Sequence, residues 1–133
     1  MPIEFPLPEK RTPFGLLPDP KITISVRTRS GYLPYRFLLD TGADVSMVPF
    51  GMAADLGIDV SRCPTGECSG IEGRPLVVYH AHIAIRVGGV DLSLPCLVSG
   101  SDATPFLLGR AGLFSRFNIL FDNQRQRIIL TEI

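Results

Sequence analysis

Apolar and polar residues alternate from Lys21 onward. Ile22, Ile24 and Val26 interleave with Thr23, Ser25 and Arg27, the period-two pattern of a half-buried strand. Arg29-Ser30-Gly31-Tyr32-Leu33-Pro34 reads as turn material, and Tyr35 to Leu39 as the next strand, ending at an acid, Asp40. Residues 49–56 predict a short helix, with Pro49 near its start and Gly57 just past its end. Residues 61–70, with Pro64, Gly66 and Gly70, read as loop. Residues 75–87 form a long strand, Gly88-Gly89 a hairpin turn, and residues 90–98 the returning strand. A loop from Ser99 to Thr104 precedes the run Pro105-Phe106-Leu107-Leu108-Gly109-Arg110. A short helix is expected over residues 111–115. Two strands follow, 118–121 and 127–130, joined by Asp122-Asn123-Gln124-Arg125. Many short strands with one or two brief helices predict a mainly β closed barrel or sandwich.

The first twenty residues differ from the rest. Six prolines (Pro2, Pro6, Pro8, Pro13, Pro18 and Pro20) fix φ and remove donors, so residues 1–20 read as an extended N-terminal arm ahead of one domain, residues 21–133. Ile3, Phe5, Leu7, Phe14, Leu16 and Leu17 give the arm apolar surface to pack on its own domain or on a second subunit.

At 133 residues, with 45% apolar and 20% charged residues, the chain suits a single domain with a sizeable core. Formal net charge is zero, which argues against nucleic acid or an anionic membrane as the main partner. No apolar run approaches the roughly 18 residues of a spanning helix. The first residues lack a basic patch followed by an apolar stretch, so a cytoplasmic protein is expected. Cys63, Cys68 and Cys96 are an odd number with no disulfide framework, which fits free thiols in a reducing compartment. Cys63, Cys68, His80 and His82 are metal-ligand types. Their loose spacing favours buried thiols and strand-surface imidazoles instead, and no metal is expected.

The chemistry concentrates at Phe37-Leu38-Leu39-Asp40-Thr41-Gly42-Ala43-Asp44. An apolar strand carries a carboxylate out of a core into a tight turn. Gly42, without a Cβ, permits an unusual φ and a close approach of backbone to that carboxylate. The Thr41 hydroxyl both donates and accepts, so it can tie this loop to a neighbouring one. Taken alone, Asp-Thr-Gly is also the signature of an Asx-turn between strand and helix.

Two further blocks occur in order: Gly70-Ile71-Glu72-Gly73 before the long strand, and Leu107-Leu108-Gly109-Arg110. With all three blocks the chain resembles the retropepsin-type aspartic proteases over roughly residues 21–122, and more closely their stand-alone bacterial and cellular members. The resemblance implies a closed barrel with a flap hairpin and catalysis by Asp40. Thr41, Gly42, Ala43, Asp44 and Arg110 would support the acid, with Arg110 paired to Asp44. Gly70, Ile71, Glu72 and Gly73 would form the flap. Val45, Met47, Phe106 and Leu107 would line apolar subsites. Glu72 stands where the viral members usually carry glycine.

This chemistry uses a water held between two carboxyls, one ionised as base and one protonated as acid, with no cofactor. The chain carries one acid-Thr-Gly motif and is too short for two such lobes. A two-fold homodimer supplies the second Asp40 by symmetry. The resemblance therefore implies a dimeric aspartic endopeptidase acting on extended peptide. The alternative is a peptide-binding dimer with little catalysis, for which Glu72 is the main support. The Pro-rich arm and the run from Arg127 to Ile133 are the candidates for a shared dimer sheet.

Overall fold

The computed structural model describes residues 2–69 and 73–133. Strands β1 (Ile3–Pro6), β2 (Glu9–Thr12) and β3 (Gly15–Pro18) precede β4 (Lys21–Thr28) and β5 (Gly31–Leu39). Then follow β6 (Ser46–Val48), helix α1 (Met52–Leu56) and β7 (Thr65–Ser69). The rest comprises β8 (Pro75–Val87), β9 (Val90–Ser99), β10 (Leu107–Leu108), β11 (Phe117–Asp122) and β12 (Arg127–Glu132).

Alternation along β4 buries Ile22, Ile24 and Val26, while Thr23 and Arg27 face solvent. β4 and β5 form a tight hairpin in which Gly31 already pairs with Thr28. The reversal is shorter than the composition of residues 29–34 predicts. Gly31 takes a positive φ of 93°, and the Thr28 hydroxyl accepts from the Ser30 amide and donates to the Gly31 carbonyl. The turn therefore closes at once. Pro34 joins β5 opposite Ser25, where the described residues give β5 no partner on its other side, a position that tolerates a missing donor.

Six strands close the barrel in the order β4-β5-β10-β6-β9-β8, and β8 pairs back to β4 at Ser25↔Arg86 and Val26↔Ile85. The β8–β9 hairpin is its longest ladder, from Val87↔Val90 to Val78↔Ser99. Phe37, Val48, Ile85, Leu94, Val98 and Leu108 fill the interior. The segment 61–70, which reads as loop in the sequence, contains β7, and β7 pairs with β8 from Thr65↔Tyr79 to Ser69↔Pro75. Thr65-Gly66-Glu67-Cys68-Ser69 has no buried residue. Main-chain pairing to the overhanging end of β8 builds this strand, so no hydrophobic alternation marks it.

A second sheet, in the order β1-β12-β11, packs beside the barrel. The Pro-rich segment is not one continuous arm. Its first strand pairs with β12, Leu7 is buried, and β2–β3 form a separate hairpin with Phe14 88% exposed at its tip. α1 ends at Gly57 in the left-handed conformation (φ 71°), as expected for a helix stop. The helix predicted over residues 111–115 does not form. Gly112 has φ 79°, which no right-handed helix accommodates, and the isolated bonds Phe114 N–H to Arg110 O and Phe117 N–H to Leu113 O leave successive turns. Among the described residues, no helix is long and apolar enough to cross a membrane.

Cys96 on β9 is buried at 1% exposure, and burial pushes its thiol up to about 12. Cys63 and Cys68 are partly exposed, and all three are free thiols. Because the thiolate is the reactive form, a thiol reagent at mildly alkaline pH should label Cys63 and Cys68 in the native protein. It should reach Cys96 only in denaturant, as peptide mapping of the labelled chain will show. The raised value also has a sign. Stability is intact below the thiol's ordinary 9.0 and falls as pH climbs from there toward about 12, because only the unfolded chain ionises Cys96 in that window.

Candidate active site

β5 delivers Asp40 to the end of the barrel. Phe37 and Leu39 point into the core, and the next residue, Asp40, emerges half-buried. Two bonds fix that exit: Leu38 N–H to Phe106 O and Asp40 N–H to Leu108 O, both 2.9 Å. The chain then folds back on the acid. Gly42 N–H donates to Asp40 Oδ1 at 3.0 Å, and Ala43 N–H to Asp40 O at 3.2 Å. The Asx-turn and the acid-bearing loop are thus one object.

Gly42 makes the close approach to the Asp40 carboxylate that its lack of a Cβ permits, but without using a positive φ. A Cβ there would meet Asp40 Oδ1 at 3.4 Å, an ordinary contact. The strict glycine is Gly109. A Cβ at that position would lie 2.5 Å from the Val45 carbonyl carbon and 2.9 Å from the Val45 nitrogen. The segment Leu107–Ala111 crosses the acid loop there, and only hydrogen fits between the two backbones.

Five hydrogen bonds seal that crossing. Gly109 N–H donates to the buried Ser46 Oγ at 3.0 Å. Arg110 N–H donates to Ala43 O at 3.0 Å, and Ala111 N–H to Asp44 O at 2.9 Å. The Arg110 guanidinium holds the outer side through Nη1 to the Thr41 carbonyl at 3.0 Å and Nη2 to Asp44 Oδ1. The Asp44 side chain is 89% exposed and that of Arg110 47%, so the ion pair itself contributes about 1 kcal/mol at most. Its value is geometric, because one fork ties both ends of the loop. Thr41 is exposed.

Met47 and Leu107, register partners on β6 and β10, open into a groove of about 400 Å³. Leu76, Pro75, Ala103 and Pro105 add apolar wall, while Ser69, Arg74, Ser101 and Thr104 add polar groups. Phe106 does not line it. Its ring stacks on Tyr35 at 5.6 Å and meets Phe37 edge-on at 5.3 Å, so it packs against the barrel. Val45 is half-buried at the Gly109 crossing and is also absent from the groove wall. Gly73 has φ 73°, and β7 and β8 converge on its segment up to Ser69↔Pro75. The remaining flap expectations, Gly70, Ile71 and Glu72, lie outside the described residues, and with them the main support for the binding-only alternative. Among the described residues, no three His, Cys, Asp or Glu side chains gather in a metal-like group.

Sequence reasoning missed Ser46 and the groove residues from the 101–105 loop. A serine at a buried alternation position, between Val45 and Met47, was a readable sign of a side-chain-to-backbone bond. Nothing in the composition of Ser101 to Pro105 distinguishes a groove wall from an ordinary loop.

A six-stranded closed barrel, with an Asp-Thr-Gly loop crossed and bonded by a Leu-Leu-Gly-Arg segment, defines the retropepsin-like class of aspartic proteases. The aspartyl protease family model matches residues 22–111, and the chain belongs to that family. The whole chain is similar in fold to a retropepsin-like aspartic protease from Rickettsia conorii. That likeness has a TM-score of 0.66 at 17% identity and covers 98% of this chain and 91% of that one. It is also similar to EIAV protease, solved in complex with the inhibitor HBY-793. There the TM-score is 0.51 at 26% identity, over 68% of this chain and 82% of that one. No curated protein matches the chain in sequence.

The crossing makes two substitutions diagnostic. Gly109→Ala forces the Val45 backbone aside and should lower stability by about 3 kcal/mol or more. Ser46→Ala strands a buried amide and should lower it by about 1–3 kcal/mol. Urea unfolding midpoints at unchanged m-value check both.

Proposed function

We propose that the chain is an aspartic endopeptidase that acts as a homodimer, with Asp40 of each copy forming the catalytic pair. The observation that carries this reading is the half-buried Asp40 on a loop held by a neighbouring amide, the Leu108 carbonyl and the Arg110 fork, with the adjacent Leu107 of the same short strand lining an apolar groove. That arrangement orients one carboxyl and exposes it to a ligand. The other acid of the loop, Asp44, is engaged by Arg110. A second copy therefore supplies the second catalytic acid.

Two carboxyls in contact cannot both ionise cheaply, so the pair shares one proton. The ionised member takes a proton from a water held between them, and that water attacks the scissile carbonyl. The protonated member donates to the carbonyl oxygen as negative charge develops there. The leaving amine then takes a proton from the pair. The substrate lies extended in the groove between the Met47–Leu107 floor and the β7–β8 pair, held by main-chain hydrogen bonds as an added strand. Apolar walls favour apolar side chains beside the cut. Three free thiols support a reducing compartment, the cytoplasm, as its site of action.

Asp40→Asn keeps the shape of the loop and removes the ionisable group. It should reduce cleavage of a peptide library below detection while leaving the dimer intact in sedimentation. Retained turnover in that variant would refute the reading.

A further inference from the structure

The barrel closes through a short seam. β4 and β8 pair only at Ser25↔Arg86 and Val26↔Ile85, although β4 runs on to Thr28 and β8 extends back to Pro75. Past Val26 the two strands part. Their register, if continued, would set Arg27 opposite Ala84, Thr28 opposite Ile83 and Arg29 opposite His82. Those residues, with Leu56 of α1, instead line a cleft of about 240 Å³. A cleft thus stands where the next rungs of the ladder would be.

Its chemistry is one-sided. The walls carry two guanidinium groups and an imidazole, and no carboxylate. Thr28 is buried and its hydroxyl is spent on the β4–β5 turn, so Arg27, Arg29 and His82 are the side-chain donors that remain. Arg86, Arg110, Arg116 and Arg125 each pair with an acid. Among the described residues, Arg27, Arg29 and His82 enter no such pair. Arg29 is also held in place. Its N–H donates to the Asp55 carbonyl at 2.9 Å, and its Cγ and Cδ lie 3.2 and 3.5 Å from where a Cβ on Gly57 would stand. The glycine that ends α1 leaves room for this stem. The Asp55 side chain borders the adjoining cavity rather than the cleft.

Cations gathered without a counter-charge raise the local potential and draw an anion. Guanidinium forks match the oxygens of a phosphate group. At about 30 Å³ per water, the cleft has the room of roughly eight waters, enough for a phosphate with a small organic substituent against Leu56 and Ala84. We propose that this cleft binds the phosphate group of a small molecule, gripped by Arg27 and Arg29 on one side and His82 on the other, and that the bound phosphate staples the open end of the β4–β8 seam. The site is separate from the candidate active site. Asp40 leaves the far end of the nine-residue β5, roughly 30 Å along the strand from the turn beside the cleft. The ligand therefore acts on the barrel and makes no contact with the acid loop, and the inference stands or falls independently of the protease reading.

The test titrates the native protein with inorganic phosphate and, separately, with phenyl phosphate, with sodium chloride holding ionic strength constant. The melting temperature should rise saturably, half-maximal at about 1 mM or below, and calorimetric titration should show a single equivalent per chain. Amides of residues 27–29 and 82–84 should gain protection from hydrogen exchange on binding, while those of residues 107–111 do not change. Arg27→Gln and Arg29→Gln should each weaken binding about tenfold or more, with the circular dichroism of the phosphate-free protein unaltered. Equal affinity for the two ligands makes the phosphate group alone the ligand; tighter binding of phenyl phosphate assigns the cleft to an organic monoester. A rise that does not saturate at constant ionic strength, or one that persists undiminished in the Arg27→Gln/Arg29→Gln double variant, overturns the site.

Discussion

The close crossing of two backbone segments at Gly109 and Val45 governs this structure. A hydrogen atom in place of a side chain lets the Leu107–Ala111 segment lie against the acid loop. From that contact follow the Ser46 bond, the two backbone bonds to Ala43 and Asp44, and the reach of Arg110 across to Thr41. The orientation of Asp40 is therefore a property of two remote stretches held together. The apolar strand that carries the acid sets its depth, and the crossing sets its direction.

Most of the barrel was legible because its strands bury one face. β4, β8 and β9 carry the period-two signal along their length, and their hairpin turns carry glycine. The failures share a cause. β7 buries nothing, so its strand is built from main-chain pairing that side-chain patterning does not report. The helix expected after Arg110 has helical composition, but Gly112 adopts a left-handed φ beneath Leu94 and Pro95. A substituent at Gly112 would collide there, so tertiary packing chose the backbone conformation over local propensity.

The candidate site was readable in its chemistry and less so in its walls. Asp40, Asp44 and Arg110 stand out through the resemblance to the retropepsin-type proteases, which carry an acid on a tight turn and a cation after an apolar-glycine run. Phe106 and Leu107 are adjacent and both apolar, yet one packs on Tyr35 and the other faces the groove. Alternation says that neighbours differ in facing, but not which of them faces the ligand. The N-terminal residues were readable as extended but not as two structures. Their hydrophobic residues divide between the sheet with β12 and a hairpin that exposes Phe14.

Arg110 and Thr41, which it grips, are separated by 69 positions, and the chain between them builds most of the barrel. During synthesis the acid loop emerges long before the segment that braces it. Until residue 111 has left the ribosome, Asp40 sits on a loop with no floor. Order of synthesis thus acts as a timer on the candidate site: the part that bears Asp40 is made early, and the part that holds its loop in place is made late.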